Sequence, residues 1–139
     1  MWVVVHLYTG LALGLLPLPY WALALVVLAS HLLLDLVPHW DYTHASHWVR
    51  WGACDFAAAL TTVVTGYVAF GAPLRLLALG ILAAAPDFDV VVRGLRHGRG
   101  EYWWPGHRSG FPHGEAGPLP GIASQAVVVA ISAMILAFL

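Results

Sequence analysis

The chain contains no lysine, and its six basic residues are all arginine. Charged residues make up only 9% of the 139 positions, and the formal net charge is −1. Binding nucleic acid requires a basic face, and this balance excludes one. Cysteine occurs once, as Cys54, so no internal disulfide can form and no redox compartment is marked. The chain also lacks a G-x-S-x-G elbow, a phosphate-binding P-loop, a C-x-x-C pair and an H-E-x-x-H helix. No arginine precedes the first apolar run and no small-residue cleavage site follows it, so this run is expected to be a retained span and not a signal peptide.

What the chain has in abundance is apolar surface. Hydrophobic residues make up 60% of it, and the mean hydropathy is +0.79. A soluble domain of this size has no use for so much apolar area. The expected fold is therefore an all-α integral membrane protein: a single domain, a bundle of about five transmembrane helices, with a polar site at one membrane face. A bilayer core of about 30 Å takes roughly 20 apolar residues per helix. The expected spans are 2–16, 20–37, 51–70, 74–92 and 121–139. A re-entrant first segment would leave four. Proline turns follow the first span at Pro17 and Pro19, and precede the fourth at Pro73. Two polar loops remain, 38–50 and 93–120.

With five spans, both long loops fall on the side of the N-terminus. That side carries Arg50, Arg93, Arg96, Arg99 and Arg108, against Arg75 alone on the other. The arginine asymmetry predicts that these loops are cytoplasmic. Trp40, Trp48, Trp51, Tyr102, Trp103 and Trp104 flank the same boundary, where an aromatic belt is expected.

The ionisable residues inside the apolar segments carry the functional signal. His31 and Asp35 are four residues apart, on one face of a helix. His6 lies early in the first span, Asp55 early in the third, and Asp87 and Asp89 late in the fourth. The second long loop contains His107 and His113, and Gln125 opens the last span. The topology brings all of them to one membrane face. Imidazole and carboxylate together suit zinc, with manganese or iron as alternatives. A divalent ion would also offset the cost of burying the carboxylates. The donors outnumber the four that one tetrahedral zinc takes, so the expectation is one or two ions. Two ions about 4 Å apart suit phosphoester hydrolysis. His6, His31, Asp35, Asp87, His107 and His113 are the candidate metal ligands. Asp55 and Asp89 are candidate catalytic groups, and Arg108 is a candidate phosphate holder, because a guanidinium matches that anion. His39 and Asp41, just past Pro38, could join the site or face water, and Gln125 could bond a ligand or a neighbouring span. His44, His47 and His97 read as solvated loop residues.

Three short elements resemble a known family. S-H-L-L-L-D at 30–35, A-P-D-F-D at 85–89 and G-H-R-S-G-F-P-H at 106–113 are similar to the S-H-x-x-x-D, L-P-D-x-D and H-R-G-x-x-H segments of the YdjM-like membrane-bound metal-dependent hydrolases, small bacterial inner-membrane proteins. The early His6, followed by small residues up to Gly14, fits the same pattern. The order of the first two elements differs from the family's, and one extra residue separates the last two histidines. The H-x-x-x-D spacing also resembles a ligand pair of zinc-dependent phospholipase C. The resemblance implies a multi-pass protein of the bacterial inner membrane with a metal-dependent hydrolase site. Depth at the headgroups implies a phospholipid-like or other amphiphilic phosphoester as substrate.

Two other functions use the same residues. A carrier or channel for metal ions or protons would need the polar path to continue to the far face, where only Tyr8, Thr9, Thr61, Thr62, Thr65, Tyr67 and Arg75 stand. A structural subunit would present the cluster to a partner. Oligomeric state is not readable from the sequence.

Overall fold

A computed structural model describes residues 1–96 and 101–138. His97, Arg99 and the last residue of the fifth expected span lie outside the described residues. The chain is all-helical. Its α-helices are α1 (Val3–Leu13), α2 (Tyr20–Leu36), α3 (Trp48–Val68), α4 (Leu74–Ala84), α5 (Phe88–Leu95) and α6 (Pro118–Phe138).

The helix ends follow backbone chemistry. Pro38 disfavours helical geometry in the residue before it, and α2 stops with Val37 already extended. Gly71 has φ +61°, a left-handed conformation that suits glycine, and with Pro73 it turns α3 into α4. Pro86 sits in a 3-10 turn, Ala85–Asp87, which separates α4 from α5. Pro118 opens α6, where its missing N–H costs nothing.

These breaks correct the expectation of about five transmembrane helices. A helix rises about 1.5 Å per residue, so the 11 residues of α1 reach only about 16 Å. The fourth expected span is divided into pieces of 11 and 8 residues. α2 has 17 residues. α3 has 21 residues but includes Arg50 and Asp55 and is less apolar. Among the described residues, α6 alone is long and apolar enough to cross a membrane, with a mean hydropathy of 2.1. The apolar runs are real, but proline and glycine cut them into helices too short to span.

α1 is the central element and packs against α2, α3, α4 and α6. Glycines set its closest approach. A Cβ on Gly10 would come within 2.5 Å of the Ala83 Cβ and 2.8 Å of the Leu79 carbonyl, and one on Gly80 would meet Leu11 at 2.9 Å. Leu7, Leu11, Ala59 and Leu77 form one core cluster. Leu23, Val27, Leu79 and Ala83 form a second. Val3 and Val4 also pack against the first cluster, while the His6 ring between these residues meets the carboxylates of Asp35 and Asp87 in a polar part of the interior.

Candidate metal centre

Four segments carry the polar interior. α1 supplies His6 and the last turns of α2 supply His31 and Asp35. The break between α4 and α5 supplies Asp87, and a 3-10 turn, Pro105–His107, supplies His107. His6, His31 and Asp35 are at most 1% exposed.

Their ligand atoms converge. The Nε2 of His6 is 3.5 Å from Asp35 Oδ1 and 3.9 Å from Asp87 Oδ2. The Nε2 of His31 is 3.4 Å from Asp35 Oδ2 and 3.6 Å from Asp87 Oδ1. The Nε2 of His107 is 3.6 Å from each of those same two oxygens. These separations exceed ordinary hydrogen-bond lengths of about 2.7–3.2 Å. They match instead the edge of a coordination shell, since donors about 2.1 Å from a tetrahedral ion stand about 3.4 Å apart. The Nε2 atoms of His6 and His31, and the Oδ2 atoms of Asp35 and Asp87, are buried with no hydrogen-bond partner. Leaving such groups unsatisfied is costly, and a shared cation removes that cost.

For His31 and His107 the surroundings fix which nitrogen faces the centre, whereas both ring nitrogens of His6 are buried without a hydrogen-bond partner. His31 Nδ1 lies 2.7 Å from the Ala83 carbonyl oxygen. A carbonyl only accepts, so Nδ1 carries the proton and Nε2 keeps its lone pair. His107 Nδ1 is 2.5 Å from Asp89 Oδ1, and the other Asp89 oxygen accepts from the Trp104 N–H at 2.8 Å. This carboxylate–imidazole pairing is typical of metal-binding histidines and orients the ring. Burial lowers the His6 pKa to about 4. Burial, with His6 alongside, lowers that of His31 to about 2. Both rings are therefore neutral near pH 7, and they stack at 3.7 Å between centroids, a contact that two imidazolium ions would resist. Burial pushes the Asp87 carboxyl well above its ordinary range. Asp35 Oδ1 also accepts from the Met1 amino group at 3.1 Å.

The buried His and Asp groups can thus hold a metal ion. His6, His31 and Asp87 form one set of suitable donors, and His31, Asp35 and His107 another. Asp35 is also grouped with His39 and His113. His39 is fully buried. The sequence left open whether it joins the site or faces water, because Pro38 places it outside the helix that carries His31 and Asp35.

The remaining candidates have other positions. Asp55 accepts from the backbone N–H groups of Val3 and Val4 at 2.8 and 2.9 Å, and from the Tyr42 hydroxyl at 3.1 Å. It caps the start of α1 and so fixes His6. Asp89 orients His107. Arg108 donates to the carbonyls of Tyr102 and Trp103 at 3.0 and 3.2 Å. Asp41 caps the 3-10 turn Tyr42–His44 by accepting from the Thr43 N–H at 2.8 Å. Gln125 accepts from the Trp2 N–H at 3.0 Å and donates to the Gly121 carbonyl at 3.1 Å. His44 and His47 are exposed. Trp40 and Trp51 pack on each other at 5.2 Å, and both pack on Trp2, so these rings brace α1 against α3.

A cleft of about 360 Å³ opens over the centre, lined in part by Asp87, His107, Arg93, Arg108, Tyr42 and His113. A second cavity, of about 520 Å³, lies between the far ends of α1 and α6 and is lined mainly by aliphatic side chains such as Leu13, Leu34 and Ile131. Thr9 and Thr62 bond carbonyls of their own helices, Val5 and Ala58, and Tyr67 is exposed.

The chain matches no protein-family model, no curated protein and no solved structure.

Proposed function

We propose that this protein is a metal-dependent hydrolase of phosphoesters carried on a lipid or other amphiphile. The observation behind this reading is the meeting of three imidazole Nε2 atoms and two carboxylates at shell-edge distances, beneath a polar cleft of about 360 Å³. Zinc suits this mixed nitrogen and oxygen set best, with manganese or iron as alternatives. A divalent ion held there supplies Lewis acidity toward a phosphoryl oxygen and activates water near neutral pH.

The chain's own residues do the rest. His6, His31, Asp35, Asp87 and His107 hold the ion. Asp89 keeps His107 in the tautomer that binds. Asp55 and Tyr42 anchor the start of α1, and so the His6 ring. Arg93 and Arg108 give the cleft positive charge for an anionic ester. Arg93 lies over the Tyr102 ring at 4.4 Å, and the two carbonyls hold Arg108 in the wall. Around this end the surface is apolar: Phe88, Leu95, Trp103 and Leu119 are between 52% and 83% exposed. Such a rim favours a substrate presented by an interface. In the same reading the protein resides at the bacterial inner membrane, attached through α6, with the two long loops on the cytoplasmic side.

The test is hydrolysis of phosphatidic acid and short-chain phosphatidylcholine in mixed micelles by zinc- or manganese-loaded protein. Release of phosphate or phosphocholine, lost in Asp87→Ala and in His107→Ala, is expected. Failure of metal-loaded protein to cleave any phosphomonoester or diester offered would overturn the reading.

A further inference from the structure

We propose that Asp35, His39 and His113 hold a second divalent cation, with Asp35 shared between it and the first. The proposal rests on the reading above, because the first centre supplies the shared carboxylate.

His39 is the main evidence. Its side chain is fully buried at 0% exposure, and its Nδ1 lies 2.8 Å from the Val37 carbonyl oxygen. That carbonyl can only accept, so Nδ1 carries the proton and Nε2 presents a bare lone pair. This Nε2 is buried with no hydrogen-bond partner. A neutral imidazole fixed through one nitrogen, with the other unsatisfied in the interior, has the form of a metal ligand. One donor atom from each of Asp35, His39 and His113 lies within 4.8 Å of the others. The His113 ring meets the His39 ring edge-on at 4.7 Å between centroids. A carboxylate has about four lone-pair sites; one on Asp35 Oδ1 takes the Met1 amino group at 3.1 Å, and those remaining let Asp35 serve both centres.

The backbone around these residues is built to hold this arrangement. The His39 N–H donates to the Gly114 carbonyl, the Gly114 N–H to the Asp35 carbonyl, and the Ala116 N–H to the His39 carbonyl, each at 2.8 Å. This short ladder fixes the segment carrying His113 against the end of α2. It needs Gly114, where a Cβ would come within 2.5 Å of the Val37 carbonyl oxygen. From the other side, α6 presses on His39 through Gly121, where a Cβ would lie 2.7 Å from the His39 carbonyl carbon. The Ser124 hydroxyl bonds the Pro38 carbonyl. Three sequence-distant segments are thus drawn together around one unsatisfied imidazole. His113 and Asp87 both line the cleft, so a substrate there would contact both centres. Paired ions about 3.5–4 Å apart suit in-line displacement at phosphorus, where attacking and leaving oxygens both need charge stabilisation.

The experiment loads purified protein with Mn2+ and measures bound metal per chain together with its electron paramagnetic resonance. Two ions per chain with an exchange-coupled signal are expected. His39→Gln and, independently, His113→Gln should each bind one ion and give an uncoupled signal. The His113 variant lies in a partly exposed loop, so it decides the matter should the His39 variant not fold. Wild-type protein that binds a single ion, or a folded variant of either histidine that keeps both, would overturn this proposal and leave the hydrolase reading standing. Wild-type protein that binds none would overturn both.

Discussion

The two ends of α1 contrast sharply. Around His6 the interior is filled by imidazoles and carboxylates, several of them buried without partners. Directly after His6 and a turn further on, Leu7, Gly10 and Leu11 sit in a close-packed apolar core against α4. The second end explains itself, because burying Leu7 and Leu11 stabilises the fold by roughly 1.5–3 kcal/mol per side chain. The first end does not. Desolvated donors aimed at one another weaken a fold unless something satisfies them. The apolar end therefore reads as scaffold, and the polar end as a set of groups that could hold a metal ion.

The largest effect expected from breaking this contrast follows removal of a ligand. His31→Ala should lower metal affinity by more than about 100-fold, beyond the range typical of outer-shell partners. Isothermal titration with Zn2+ would show it. The same variant should lose the rise in melting temperature that zinc gives to wild-type protein, since only a state that binds is stabilised.

Acidity comes next. The buried His6 and His31 rings titrate at about 4 and about 2, below the ordinary 6.5. The unfolded chain therefore takes up protons that the folded chain refuses. In metal-free protein the contribution of these two rings should be fully present above about pH 6.5 and fade as the pH falls toward 4, whereas the raised Asp87 carboxyl acts in the opposite sense. The loss due to His6 alone is about 3 kcal/mol. Chemical denaturation at a series of pH values measures it.

Asp89→Asn gives a smaller change. The amide keeps the shape but not the charge that orients His107, so zinc affinity should fall about 10–100-fold with the helical content unchanged. Gly10→Ala probes the scaffold end. Its methyl would enter the Ala83 contact, an overpacking that costs about 1–3 kcal/mol. Zinc should still raise the melting temperature of that variant. Thr62→Val, on the outer part of α3, should shift stability by less than about 0.5 kcal/mol and leave metal binding alone.

Much of this was legible in the sequence, and the reasons differ by feature. The helical class followed from long apolar runs, and the turns from Pro17, Pro19 and Pro73. The gathering of His6, His31, Asp35, Asp87 and His107 followed from their places near the ends of successive segments. Span number did not follow, because hydropathy measures composition along the chain and not unbroken helix. Pro86 was visible, yet nothing local says whether a proline kinks a helix or ends it. His39 was obscured for another reason. Its position depends on the ladder to Gly114 and Ala116, about 75 residues away, and non-local pairing of that kind leaves no periodic trace. Asp55 was a candidate catalytic group, and the sequence did not reveal that its carboxylate accepts from the first N–H groups of α1.

On the proposed reading, His6, His31, Asp35, Asp87 and His107 close around one cation. X-ray absorption at the zinc edge of protein loaded with one equivalent of Zn2+ tests this most directly. A first shell of nitrogen and oxygen at about 2.0–2.2 Å with no sulfur is expected, with outer-shell scattering from about three imidazoles that weakens in His31→Ala. A shell without imidazole scattering, or a spectrum unchanged by that substitution, would contradict it.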